Sequence, residues 1–282
     1  MRLRIMNEQD VPGGLRLNTL SGWNQTAADW RRFLKNSPRG CFVMEHDGKV
    51  VGTATTINYE SRFAWIGMVL VDPECRKQGI GTALLEKTIE HLDESNIRIM
   101  KLDATPQGKP IYRKLGFVEE YEIERWILRR AAGARTPPST CAPLDKMQKE
   151  QVFHLDRELF GADRGFLLRG LCEDAPEFAT ADWEDDLLQG YGFGRRGLFA
   201  DHLGPWMART RAAAENLLQS FLAKSSRETV IVDCMKSNSV AVELLHTCGF
   251  APSRPLTRMV RGANVYQGKP DSFCAILGPE FG

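Results

Sequence analysis

The chain repeats itself, and the repeat limits the possible folds more than any other feature. Pro38 opens PRGCFVMEHDGKVVGTAT and Pro176 opens PEFATADWEDDLLQGYGF. Each stretch reads as a short apolar strand, an acidic turn and a second strand, that is, a β-hairpin. The turns are His46-Asp47-Gly48 and Glu184-Asp185-Asp186, and Gly52 and Gly190 stand equally far beyond their prolines. Further on, LDATPQGKPIYRKLGF (102–117) matches VDCMKSNSVAVELLHTCGF (232–250). Each reads strand, polar turn, helix and Gly-Phe, followed by a last strand pattern, IERWILRR or LTRMVRG. Three landmarks in one order favour a duplicated α/β unit over two chance look-alikes.

The division follows composition. Residues 131–143, AAGARTPPSTCAP, carry no apolar periodicity and read as a linker between domains at 1–130 and 144–282. A length of 282 residues suits two domains. In the first half the run FAWIGMVLV reads as a buried strand. A helix follows from about Gly79, with Ile80, Ala83 and Leu84 on one face, continued by Leu85, Ile89 and Leu92. The second half has its own helix pattern, with Leu217, Leu218, Phe221 and Leu222 as the apolar stripe; DSFCAILGPEFG adds a strand.

Several classes fall away. A formal net charge of +1 and no basic stripe argue against a nucleic-acid or membrane surface. The longest apolar run, Phe63 to Val71, is too short to span a bilayer. The opening MRLRIMNEQD has no apolar stretch behind its basic residues, so it does not read as a signal peptide. Seven scattered cysteines without a CxxC, and five dispersed histidines, suggest reduced thiols in a cytoplasm and no metal site.

One segment carries chemistry. Arg76-Lys77-Gln78-Gly79-Ile80-Gly81-Thr82 follows the buried strand and opens the helix. A helix start offers unpaired N–H groups and partial positive charge. Glycines there let an anion approach the backbone, and Arg76 and Lys77 add formal charge. A pyrophosphate suits such a place, although glycines also serve a tight strand-to-helix turn.

The wider pattern Val69-Leu70-Val71-Asp72-Pro73-x-x-Arg76-x-x-Gly79-x-Gly81 resembles the acyl-CoA motif of the GNAT superfamily of N-acetyltransferases. The downstream unit resembles that family's closing motif, with Tyr112, three residues, then Gly116-Phe117. The resemblance spans roughly residues 3–129. It implies an α/β (α+β) fold of two GNAT-like domains, each a mixed, mostly antiparallel sheet flanked by helices, with a degenerate C-terminal copy. It implies direct acetyl transfer from acetyl-CoA to a primary amine of a small molecule or peptide. Val69, Leu70 and Val71 would pair with the pantetheine arm, the Leu70 N–H would polarise the thioester carbonyl, and residues 76–82 would hold the pyrophosphate. Tyr112 would protonate the departing thiolate. Thr105 stands where the family often has Asn.

The general base is not identified by sequence. The stretch 62–68, where the family often carries a glutamate, has none; Glu60 lies just ahead of it. Asp103 is a further candidate, its other reading being a cap on the turn before Thr105-Pro106. Cys75 reads as a loop residue, Trp23 and Trp30 as core or acceptor wall, the acidic residues 182–186 as a hairpin turn, and His202 as a structural hydrogen-bond partner. Aligning Pro205 with Pro73 puts Arg211 and Ala213 on the glycines, and aligning the Gly-Phe pairs puts Leu245 on the tyrosine. The second half is therefore expected not to catalyse. An acyl-CoA sensor, or transfer of another acyl or aminoacyl group, is the alternative; the oligomer is a monomer or homodimer.

Overall fold

The computed structural model describes residues 1–131 and 141–282, so most of the linker read from the sequence lies outside the described residues. In chain order the elements are β1 (Arg2–Ile5), α1 (Val11–Ser21), α2 (Ala27–Asn36), β2 (Phe42–His46), β3 (Lys49–Tyr59), β4 (Phe63–Val71), α3 (Ile80–Glu94), β5 (Met100–Ala104), α4 (Lys109–Lys114) and β6 (Val118–Arg129). Then come α5 (Lys146–Phe160), α6 (Gly165–Asp174), β7 (Thr180–Glu184), β8 (Leu187–Arg196), β9 (Asp201–Ala208), α7 (Arg211–Lys224), β10 (Thr229–Met235), α8 (Ser239–Thr247), β11 (Ala251–Arg261) and β12 (Phe273–Ala275). Among the described residues no helix is long and apolar enough to cross a membrane.

The chain forms two compact units. One gathers Met1–Glu120, Arg258–Val265 and Glu280–Gly282; the other gathers Tyr121–Thr257 and Tyr266–Pro279. These are not the two halves drawn along the sequence. The reason is strand pairing: β6 runs antiparallel to β10, with Ile123 opposite Met235 and Arg129 opposite Thr229, so the first half's closing strand belongs to the second unit from Tyr121 onward. In turn, β11 passes into the first unit at Arg258, and Gly262 lies against the backbone of Arg98 ahead of β5.

In the first unit β1 to β4 pair antiparallel in sequence order, and β4 begins a parallel pair with β5. Ala64 and Ile66 of β4 face one side, where Leu85 and Leu92 of α3 and Tyr112 of α4 bury their side chains. The periodicity read for α3 is the one that packs: Ile80, Leu84, Leu85, Ile89 and Leu92 are buried. On the opposite side Trp30 is fully buried beneath Gly14 of α1, and Phe33 of α2 stacks on Phe281 with ring centroids 4.8 Å apart. Trp30 is therefore core. Thr26 and Asp29 close a capping box at the start of α2.

In the second unit β7, β8 and β9 form the matching antiparallel run, and β9 is parallel to β10 from Asp201 to Leu203. Leu217, Leu218, Phe221 and Leu222 of α7 are buried as expected.

A buried ion pair built the same way recurs in both units. Asp103 on β5 receives Arg258, with Nε at 2.5 Å and a second bond of 3.1 Å. Asp233 on β10 receives Arg125, with both bonds at 2.7 Å. Arg125 and Arg258 stand eight residues after Phe117 and Phe250, so the duplication explains the likeness. Asp233 also faces His202, whose other ring nitrogen meets Arg195 at 3.1 Å. Arg125 and His202 hold the Asp233 carboxyl far below the usual carboxylate range despite burial, and burial lowers the His202 pKa. His202 is thus structural.

Candidate active site

The strand β4 carries a bulge that aims its backbone. Leu70 lies opposite Thr53 and Gly67 opposite Thr55, so Met68 and Val69 together face the single residue Ala54. Met68 sits at φ +50, and its carbonyl accepts a 2.7 Å hydrogen bond from Thr53 Oγ1 on β3. A trans peptide points its C=O and the next N–H in opposite directions. The Val69 N–H therefore points away from β3. Likewise the Asp72 N–H donates to the Val51 carbonyl at 2.9 Å, which turns the Val71 carbonyl away from β3. Leu70, between them, turns its own N–H and C=O toward Thr53 by the alternation of an antiparallel pair. The sequence position had pointed to the Leu70 N–H as the free donor; the bulge makes Val69 that residue, because it shifts the alternation by one.

The open side is a gap. Among the described residues β4 and β5 pair only at Ala64–Met100 and Trp65–Lys101, and beyond Trp65 they part. Val69 thus turns its N–H, and Val71 a carbonyl that accepts from Arg76 Nε, toward a slot between two strands.

Eight residues, Asp72–Gly79, join β4 to α3. Asp72 anchors this loop by accepting from the Glu74 N–H at 3.1 Å and from Arg16 at 2.6 Å. Arg76, Lys77, Gln78 and Gly79 are exposed. Lys77 and Gly79 both adopt left-handed backbone, at φ +62 and +79. Gly79 is needed for that shape. Gly81 is different: a Cβ there would meet only Val71 Cγ2, at an ordinary 3.5 Å. Neither packing nor backbone conformation therefore calls for glycine at 81. Gly79 provides no side-chain cap, which leaves the N–H groups of Ile80, Gly81 and Thr82 without intrahelical partners. Arg76 Nε lies 3.4 Å from the Val71 carbonyl, at the mouth of the slot.

Tyr112 is buried on the α3 side of the sheet, in edge contact with Phe117 at 6.0 Å. Burial alone pushes its phenol up to about 12. Among the described residues its hydroxyl has no hydrogen-bond partner. Thr105 stands at the end of β5, where its carbonyl accepts from Gly108 and Lys109 at 3.0 Å.

Of the candidate bases from sequence, Asp103 is buried in an ion pair with Arg258. Glu60 lies before the first residue of β4, about 20 Å of extended strand from Val69. Two groups went unnoticed in the sequence because nonlocal packing creates them. Lys101 is buried beside the Phe63 ring, 4.3 Å from its centroid. Burial, then the charge of Arg258, lowers its pKa from 10.5 to about 8. Below pH 8 the folded and unfolded chains both hold the proton. Between about 8 and 10.5 only the unfolded chain does, so stability rises with pH there. Lys101→Met should raise stability at pH 7 by about 2–3 kcal/mol and flatten that rise. Urea midpoints from pH 7 to 10 would read both effects; parallel curves for the two proteins would refute it. The second unnoticed group is Glu280, which is 1% exposed.

The second unit shows what a closed version looks like. Gly192 opposes Trp206 and Gly194 opposes Leu203, so Gly204 and Pro205 form the bulge that Met68 and Val69 form in β4. Proline has no N–H, so the free donor is missing. This corrects the alignment of Pro205 with Pro73: Pro205 lies inside β9 and matches Val69. Only Arg209 and Thr210 separate β9 from α7, so the loop is absent rather than obstructed. Thr210 caps α7 by accepting from the Ala213 N–H at 3.1 Å, and Arg211 pairs with Glu243. Finally, β12 fills the slot, with Ala275 paired to both Trp206 of β9 and Cys234 of β10.

Comparison with known proteins agrees in both halves. The model of the acetyltransferase (GNAT) family matches residues 14–117, and that of an acetyltransferase (GNAT) domain matches 152–273. The chain is a tandem member of the GNAT superfamily. Holothin acyltransferase of Pseudoalteromonas sp. (strain SANK 73390) is 25% identical over 92% of this chain and 87% of its own length. The uncharacterised N-acetyltransferase YitH of Bacillus subtilis (strain 168) is also 25% identical, over 87% of this chain and 86% of its own length. A solved structure of an acetyltransferase candidate from Pyrococcus horikoshii shares the fold, with a TM-score of 0.82, 22% identity, and coverage of 100% of this chain and 95% of that one. This GNAT protein is accordingly an acyl-CoA N-acyltransferase.

Proposed function

We propose that the first unit moves an acetyl group from acetyl-CoA to a primary amine held beside it, and that the second unit does not catalyse. The observation that carries this is the combination of an open β4/β5 slot, a free Val69 N–H and an uncapped α3 start. The residues fit the ligand: Gly81 leaves room that no packing requires, and three N–H groups face it. Residues 76–82 would hold the pyrophosphate, with the charges of Arg76 and Lys77. Val69 and Val71 would pair with the pantetheine arm, and Thr105 would line the end of β5. The Val69 N–H would donate to the thioester oxygen as it gains charge. Tyr112 would donate to the departing sulfur. In the second unit, Pro205, the two-residue connection and β12 each remove one of these parts. The acceptor is an amine of no narrower class, since relatives' names differ between holothin acyltransferase and N-alpha-acetyltransferase 30.

Calorimetric titration with acetyl-CoA tests the reading. Wild type should bind one equivalent. Gly81→Glu should lose at least about 100-fold in affinity, because a carboxylate would repel the pyrophosphate. Its fold should not suffer, because glutamate favours a helix start and replaces a glycine inside a helix. Unchanged affinity would remove the loop from the site; two equivalents would give the second unit a cofactor.

A further inference from the structure

The loop that would hold the pyrophosphate keeps its shape with little packing behind it, since Pro73, Glu74 and all four residues from Arg76 to Gly79 are exposed. Its order begins at Asp72, which is buried. The Asp72 N–H donates to the Val51 carbonyl at 2.9 Å, and its carbonyl accepts from the Cys75 N–H at 2.9 Å. One carboxylate oxygen accepts from the Glu74 N–H at 3.1 Å. The other accepts from Arg16 Nη1 at 2.6 Å, while Nη2 of the same guanidinium donates to the Val50 carbonyl at 2.9 Å. Arg16 of α1 thus joins the start of β3 to the end of β4 with one rigid fork. The helix is fitted for this reach. Gly13 lies one turn before Arg16 on the same helix face, and a Cβ there would stand 2.8 Å from Val50 Cβ. Glycine is a poor helix residue, and here the close approach of α1 to β3 requires it. Charge matters as much as position. Asp72 is an anion at the base of a site suited to another anion. Burial raises its carboxyl, and Arg16, the Glu74 N–H and the charge of Arg76 together bring it below the usual carboxylate range. Without Arg16, Arg76 would be the cation left to answer Asp72, and it would be drawn away from the phosphates.

We propose that Arg16 is a positioning residue for acetyl-CoA: acting through Asp72, it holds residues 72–79 in their anion-binding shape and leaves Arg76 for the phosphates. This rests on the acetyltransferase reading of the first unit. The Arg16 side chain is 43% exposed, so the ion pair contributes little to overall stability. Its contribution to binding is larger. A loop that visits its binding shape only a tenth of the time weakens apparent affinity about tenfold, because the ligand must then supply the ordering.

The experiment compares wild type, Arg16→Met, Asp72→Asn and the double variant. Calorimetry gives the affinity for acetyl-CoA and for 3′-dephospho-acetyl-CoA, and hydrogen exchange follows the amides of Glu74 and Cys75 without ligand. Arg16→Met should raise the Kd of both ligands about tenfold. Its Glu74 and Cys75 amides should exchange about tenfold faster. Its melting temperature should fall by less than about 4 °C, so that lost affinity is not a lost fold. In the Asp72→Asn background the same substitution should change affinity less than about twofold, because the group through which Arg16 acts is already gone. Unchanged affinity in Arg16→Met overturns the proposal. So does a loss that persists in full with Asn at 72, a loss confined to the ligand bearing the 3′-phosphate, or a loss without faster exchange; each would put Arg16 on the ligand and not on the loop. Should the methionine variant not fold, Arg16→Lys takes its place, keeping the charge without the fork. A loss of at least about threefold is then expected, and wild-type affinity overturns the proposal. Failure of wild type to bind acetyl-CoA sinks the acetyltransferase reading as well; tight binding by wild type and Arg16→Met alike sinks the role of Arg16 alone.

Discussion

Arg258→Met should lower unfolding stability by about 3–5 kcal/mol, the cost of leaving a buried carboxylate without its partner. The Asp103 side chain is 0% exposed and that of Arg258 only 6%, so water does not replace the lost guanidinium. Arg258 also lies over the Trp65 ring, 4.3 Å from its centroid, which adds a contact that methionine only partly restores. The double variant Asp103→Asn/Arg258→Met should recover most of the loss, because it removes both charges together. Urea unfolding of wild type, both single variants and the double variant gives the coupling energy. A loss below about 1 kcal/mol for Arg258→Met would mean the pair is effectively hydrated. Arg125→Met should behave alike in the other unit, where it strips Asp233 of both 2.7 Å hydrogen bonds from the guanidinium.

Tyr112→Phe should lower kcat about 100- to 1000-fold and leave the KM for acetyl-CoA within about twofold. The ring stays, so its packing on Phe117 survives, and the lost hydroxyl has no protein partner among the described residues. The melting temperature should therefore hold or rise. The raised phenol pKa limits how the group acts. A phenol at about 12 remains protonated throughout the neutral range. Handing its proton outright to a thiolate of pKa near 8.5 would be uphill by about 5 kcal/mol. Tyr112 is therefore better placed to donate a hydrogen bond to sulfur and pass on a proton only as nitrogen supplies another. Single-turnover kinetics separate chemistry from product release. A wild-type chemical rate in the Phe variant would remove Tyr112 from the reaction.

Much of the architecture is legible along the chain because it is local. The α3 stripe, the two hairpins and the Gly-Phe landmarks each depend on neighbours a few residues away. The loop of residues 76–82 could be read for the same reason. What could not be read depends on partners far apart in sequence. Whether Leu70 or Val69 offers the free N–H is decided by a bulge in the pairing with β3, and no residue type announces it. Pro73 and Pro205 look alike as letters, yet one lies in a loop and the other in a strand, because pairing sets the match. Asp103 offered itself as a base until Arg258, 155 residues away, claimed it. Glu280 gave no motif at all, and only the bare surface of Gly67, where a Cβ would stand 2.6 Å from the Glu280 carbonyl, shows why the chain returns there.

The exchange of closing strands also orders events during synthesis. The chain up to Glu120 leaves the ribosome well before Arg258 and Glu280 are made. At about 5–20 residues per second, the intervening stretch takes on the order of 10–30 s. For that time the nascent first unit has an acidic residue to bury and no guanidinium to bury it against. It must stay open or be sheltered, and the residues 280–282 that complete it arrive later still. The first unit is therefore complete only once residues 258–265 and 280–282 have been made.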